Sequence, residues 1–273
     1  MNQPGFKSGL LSVTFRQKSP AEILSLAAEA GIESVEWGGD RHLPAGDAAA
    51  AERLARMTRD AGLEVSAYGS YYKFEDIDPS RSGEGPSPFA VLDTAEALGT
   101  EMVRIWPGSI GSEEAPPEWR RRLVERTREL AALAAPRSLS LGFEFHNDSL
   151  TDTAASTLRL LDEVDCPNVS TFWQTNRGVS RETHLEGLRL IRQRVSHIHC
   201  HHLVPDKQPP FELLEQGESE WMAYLRLLPR GGQTRFVSIE FVRDGSEDSF
   251  RRDAGTLRRW LRLLEAGLEK TED

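Results

Sequence analysis

Eight times along this chain an apolar, strand-like run is followed by a polar turn and then by an amphipathic helical pattern. Such alternation predicts a parallel sheet with helices outside it, because a parallel connection needs a crossover long enough to hold a helix. The runs lie near Lys7–Phe15, Ile32–Trp37, Leu63–Tyr68, Met102–Trp106, Leu139–His146, Val169–Trp173, Val195–His201 and Phe236–Val242. Helical patterns follow near Pro20–Ala30, Ala48–Ala61, Phe89–Leu98, Pro117–Ala134, Thr153–Val164, Arg181–Arg192, Trp221–Leu228 and Ser249–Leu264. Eight strand–helix units close naturally as an α/β, single-domain (β/α)8 TIM barrel; an open doubly wound sheet rarely alternates so often in one domain. Local chemistry agrees: Ser19-Pro20 suits an N-cap and first helical residue, and Gly31, Gly62 and Gly99 stop helices before the next strand. With 273 residues and 38% hydrophobic content, the chain has enough apolar material for one such core.

Composition and missing motifs remove several classes of function. The formal net charge is −10, and the arginines of WRRRLVERTREL and RRDAGTLRRW are interleaved with acidic residues, so no basic stripe for a phosphate backbone is expected. No apolar run approaches the ~20 residues of a membrane helix, and MNQPGFKSGLL lacks a signal peptide's apolar stretch; a soluble, cytoplasmic protein is expected, without nucleic-acid or membrane partners. Cys166 and Cys200 are too few for a disulfide framework. Without GxGxxG after a first strand, GxxxxGK[ST], GxSxG or CxxC, the chain gives no support to dinucleotide, P-loop, serine-hydrolase or zinc-ribbon readings.

In a barrel of this type the chemistry sits at the C-terminal strand ends. Four late runs end there in side chains of metal-binding type: Glu144, Gln174, His199 and Glu240. Two carboxylates, an imidazole and an amide oxygen suit one divalent ion that accepts mixed oxygen and nitrogen donors, such as Mn, Co, Zn or Mg. Taken singly, each residue could equally form a salt bridge or a helix cap; their joint placement at four consecutive strand ends points to a site. Further candidates for substrate contact are Glu36 and Trp37 at the second strand end and His42 in the Gly-Gly loop beyond it, with a structural turn as the alternative. His146 lies two residues past Glu144, on the same face if the chain stays extended. His197, His199 and His201 also share a face, which puts His201 near the mouth and His197 deeper, as a supporting or core residue. Trp106 and Trp173 offer aromatic faces, Arg104 and Arg177 can pair with anions, and Lys207 could reach over the mouth. The irregular stretch Lys73–Pro88 reads as a lid or a surface loop.

The segments GFEFHN, HIHCHH and SIEFV, placed at the fifth, seventh and eighth strands, resemble the xylose-isomerase-like sugar isomerase/epimerase superfamily over essentially the whole chain. WGGDRHLP, YGSYY and FWQ look like an isomerase-like branch apart from its well-studied members. The resemblance implies a Glu, an Asp, a His and a Glu on one divalent ion, carried here to Glu144, Gln174, His199 and Glu240. Gln174 departs from that pattern, leaving the cation one fewer negative charge. Also implied is an isomerase or epimerase of a small sugar working through an enediolate, with Glu144 and Glu240 catalytic as base and acid. A lyase or dehydratase using the same metal enolate is the alternative, or a non-catalytic sugar-binding barrel. The superfamily's endonuclease branch, with its several metal ions, is not expected in an acidic chain with seven histidines. Arg177 stands where many members carry a substrate-contacting His, which suggests an altered or anionic substrate. Apolar helix residues leave a homodimer open.

Overall fold

The barrel strands are β1 (Phe6–Leu11), β2 (Ser34–Gly38), β3 (Glu64–Tyr72), β4 (Met102–Ile105), β5 (Ser140–Phe143), β6 (Val169–Trp173), β7 (Val195–Cys200) and β10 (Arg235–Ile239). They pair in parallel in the cyclic order β1–β10–β7–β6–β5–β4–β3–β2, so the sheet closes on itself. A computed structural model describes residues 5–74, 85–204, 208, 210–229 and 234–267. Helices α1 (Pro20–Glu29), α2 (Ala48–Asp60), α3 (Pro88–Leu98), α4 (Pro117–Ala134), α5 (Ala154–Val164), α6 (Arg181–Ile191), α7 (Glu218–Leu227) and α8 (Glu247–Glu265) form the outer ring. Among the described residues no helix is long and apolar enough to cross a membrane.

Local signals start these helices where they fall. Ser19 accepts the Glu22 backbone N–H while the Glu22 carboxylate accepts the Ser19 N–H, a reciprocal cap that satisfies two otherwise orphaned donors. Asp47, Ser87, Thr153, Ser180 and Ser246 cap α2, α3, α5, α6 and α8 in the same sense.

The barrel strands are buried on both faces, as the all-buried SVEWG of β2 illustrates. The pleat then sends alternate residues into the barrel or out against the helices. On β2, Glu36 points inward to Arg104 and His199, whereas Trp37 donates outward to Thr58 Oγ1 of α2 at 3.1 Å.

Several strand ends differ from the sequence expectation. β1 stops at Leu11 and the chain turns through a 3-10 helix, Ser12–Phe15, because Ser12 Oγ takes the Gly38 N–H (2.9 Å) and bonds His42. β5 and β10 end at Phe143 and Ile239, and Glu144 and Glu240 follow at once, their N–H groups still bonded to the Ile105 and Cys200 carbonyls at 2.9 and 3.1 Å. β3 runs past Tyr68 to Tyr72, with a register shift against β4 and Tyr71 in the left-handed region at φ 57. A short antiparallel ribbon, β8 (His202–Leu203) with β9 (Phe211–Glu212), follows β7 and was not expected. Residues 75–84 of the expected lid, and Lys207, lie outside the described residues.

Candidate active site and metal centre

At the C-terminal end of the barrel, charged side chains from five strands meet out of reach of solvent. Arg104, 1% exposed, donates Nε to Glu36 Oε1 at 2.6 Å and Nη1 to Glu144 Oε2. Gly69 on β3 makes room for this: a Cβ there would stand 2.5 Å from Arg104 Nη2 and 2.9 Å from Glu36 Oε1. On its other oxygen Glu36 meets His199 Nε2 at 3.0 Å. Burial works against the Glu36 charge, but Arg104 and His199 outweigh it and hold the carboxyl down at about 2. Burial likewise opposes charge on His199, yet Glu36 and Glu240 raise it above the usual imidazole value. Glu240 is held below the carboxylate range, burial being overcome by His199, His201 and Arg104.

An ionised carboxylate only accepts, so His199 Nε2 keeps its proton, and Nδ1 is the nitrogen that would turn a lone pair to a cation, giving up any proton it carries. That Nδ1 is buried without a hydrogen-bond partner, and so is Gln174 Oε1. His199 Nδ1 lies 3.8 Å from Glu240 Oε2, and one ligand atom each from Glu144, His199 and Glu240 fall within 4.8 Å of one another. Metal–ligand bonds of about 2.1 Å set such atoms roughly 3–4 Å apart around an ion, so a small contraction completes a site. The donor set therefore fits a divalent cation. Three carboxylates, Glu36, Glu144 and Glu240, face Arg104 and His199, so the cluster keeps an excess of negative charge that such an ion would neutralise.

Above the ligands opens a cavity of about 470 Å³ whose lining includes Glu144, Gln174, Glu240, His146, Trp106 and His201. Arg177 also lines it, beside two cationic residues that the sequence reading did not single out, Arg16 and Lys73, and two aromatic ones, Tyr71 and Phe241. His146 packs on Trp106 with ring centres 4.6 Å apart, and Lys73 Nζ sits 4.4 Å from the Trp106 ring centre. His201 Nε2 donates to the Thr175 carbonyl at 3.2 Å, and its Nδ1 is 3.6 Å from Glu240 Oε2. Tyr71 is the penultimate residue of β3, and Arg16 follows the 3-10 helix after β1, so attention to the C-terminal ends of the early strands would have found them.

Four expected substrate contacts are placed elsewhere. Trp37 packs between barrel and helices, because it follows inward-facing Glu36 and adjacent residues of a strand face opposite ways. Trp173 precedes inward-facing Gln174 and for the same reason joins an outer aromatic cluster with His184, Trp221 and Tyr224. His42 is tied into the β2–α2 loop by Ser12 Oγ (3.0 Å) and the Lys18 carbonyl (3.1 Å). Glu36 supports His199 and does not line the cavity. His197 lies deeper in the barrel, stacked between Phe172 and Phe236, where burial pushes it down to about 4.

Residues 24–263 match the family model described as xylose isomerase-like TIM barrel. Over 168 residues the chain is 31% identical to a 3-dehydroshikimate dehydratase of Bacillus anthracis; this stretch is 60% of the chain and 59% of that relative, less than two thirds of its length. The fold matches the crystal structure of the probable 3-DHS dehydratase AsbF from Bacillus anthracis with a TM-score of 0.73, at 22% identity, over 92% of this chain and 98% of that one. D-psicose 3-epimerase from Clostridium cellulolyticum H10 matches with a TM-score of 0.68, at 16% identity, over 94% and 98% of the two chains. Fold and matched length agree: the chain belongs to the xylose isomerase-like TIM barrel family.

Proposed function

We propose that this protein is a divalent-metal-dependent lyase that removes water from a small hydroxy ketone bearing a carboxylate, of the 3-dehydroshikimate type. The observation that carries the reading is one cavity combining the Glu144–Gln174–His199–Glu240 donor cluster with the cationic side chains Arg16, Lys73 and Arg177. A neutral sugar calls for no cation; with Arg16 paired to Asp40, Lys73 and Arg177 are the side chains placed for a substrate carboxylate. The sequence likeness to a dehydratase supports the same choice over the isomerase or epimerase expected from the sequence.

Eliminating a hydroxyl β to a carbonyl requires a base at the α-carbon, a counter-charge for the enolate oxygen and a proton for the departing oxygen. A divalent ion held by the four donors supplies the counter-charge. Glu144 and Glu240 are poor bases here, since Arg104 occupies Glu144 Oε2 and Glu240 is held below the carboxylate range, so we assign them as ligands. His146 is the better base. Its Nδ1 bonds the Asn147 carbonyl at 2.7 Å, and a carbonyl only accepts, so Nδ1 carries the proton and Nε2 keeps a lone pair.

The test is incubation of Mg- or Mn-loaded protein with 3-dehydroshikimate, monitoring the aromatic dihydroxybenzoate left by loss of water. Turnover in the native protein and its absence in Glu240→Gln is the expected result. No dehydration, but solvent hydrogen exchange into a ketose, would favour the epimerase reading. Saturable binding without either reaction would favour a binding protein.

A further inference from the structure

The geometry points to Tyr71 as the acid that protonates the departing hydroxyl. This rests on the lyase reading and names the group that reading leaves unassigned. Tyr71 lines the cavity together with Glu144, Glu240 and His146. Arg16 Nη2 donates to Tyr71 Oη at 3.1 Å. A guanidinium has no acceptor, so Oη is the acceptor in that bond and the phenolic proton is left free to donate. Arg16 also donates Nε to Asp40 Oδ2 at 2.6 Å, which anchors the guanidinium with Nη2 on the phenol oxygen.

Two further features suit an acid. The Arg104 guanidinium carbon lies 5.2 Å from the Tyr71 ring centre, so cations flank the phenol on two sides and stabilise the phenolate left once the proton is given. Burial raises the phenol above its ordinary value, and Arg104 and Arg16 oppose that rise by favouring the phenolate. Tyr71 also sits at φ 57, a conformation that strains a non-glycine residue and that surrounding contacts must sustain. Stacking on Trp106, with ring centres 6.4 Å apart, is one of those contacts.

The step balances without a redox partner. His146 Nε2 takes the α-carbon proton and the C–H electron pair passes into the enolate. Collapse of the enolate forms the new C=C bond as the β C–O bond breaks, and the leaving oxygen takes both electrons of that bond and the Tyr71 proton to depart as water. The phenolate is reprotonated from His146 through solvent, restoring both groups.

The experiment compares wild-type and Tyr71→Phe holoenzyme on the hydroxyl substrate and on its β-acetoxy analogue, whose leaving group departs unprotonated. Tyr71→Phe is expected to slow elimination of water about 100-fold or more, the usual contribution of a positioned acid. Loss of acetate and α-proton exchange with solvent should stay within about threefold of wild type. Equal slowing on both substrates, or undiminished loss of water, overturns the inference and leaves the lyase reading standing. A wild-type protein that eliminates neither leaving group retires the lyase reading together with it. Should Tyr71→Phe fail to fold, Tyr71 is replaced by 3-fluorotyrosine, which keeps its shape and lowers its pKa: a shift to lower pH in the profile for loss of water, with none for loss of acetate, supports the assignment, and unchanged profiles overturn it.

Discussion

Glu36 lies off the cavity lining, yet its bond to His199 Nε2 decides which nitrogen His199 offers to a cation. Glu36→Gln should therefore lower affinity for Mn²⁺ by roughly 10–100-fold in isothermal titration, the usual cost of losing a carboxylate behind a ligating histidine. Gln174→Asp should act in the opposite sense and tighten the same titration, because it adds a charged donor where a neutral oxygen now lies unpartnered. Glu144, Gln174, His199 and Glu240 were legible as a group, since each ends an apolar run with a metal-binding type of side chain. The role of Glu36 was not legible. Its partners Arg104 and His199 lie 68 and 163 residues away in sequence, and only closure of the sheet brings them together.

At the scale of single elements, strand pleating sorts neighbours that look alike in sequence. Trp173 and Gln174 are adjacent and both buried, but one faces the helices and the other the cavity. Trp173→Ala should cost about 3–5 kcal/mol in urea unfolding, as a large aromatic lost from a packed cluster. Trp173→Phe should leave Mn²⁺ affinity unchanged. Helix α8 carries a second consequence of burial: Asp253, 1% exposed, accepts the Leu214 N–H at 2.8 Å, and burial pushes its carboxyl up to about 7 from 3.8. The unfolded chain then releases this proton near 3.8 while the folded chain holds it to about 7. Stability contributed at acid pH is therefore lost as pH rises between those values, by roughly 4 kcal/mol at most. Asp253→Asn keeps an acceptor for Leu214 and should remove that loss, so melting temperatures of the two proteins should agree near pH 4 and separate towards pH 8 in favour of the variant.

Over the whole molecule the charge is −10, yet Lys73 and Arg177 stand in the cavity beside its carboxylates, placed to attract a substrate anion. For a carboxylate substrate, KM should rise as salt is increased towards about 0.15 M, where screening reaches over ~8 Å. Arg177→Gln should raise KM at low salt and flatten that dependence, with kcat little changed. The order of strands, the helix starts and the barrel itself are set by local properties: hydrophobic period, caps and the glycines after α1, α2 and α3. Those properties are carried by residues close together in the chain, and so the sequence by itself determines the fold and the four strand-end donors. Which way each strand-end residue faces is a matter of register, and register is settled by pairing with neighbouring strands. Only the tertiary structure therefore separates Glu36 from Trp37, sets Arg104 between two glutamates, and brings Arg16 of the first strand–helix unit onto Tyr71 of the third.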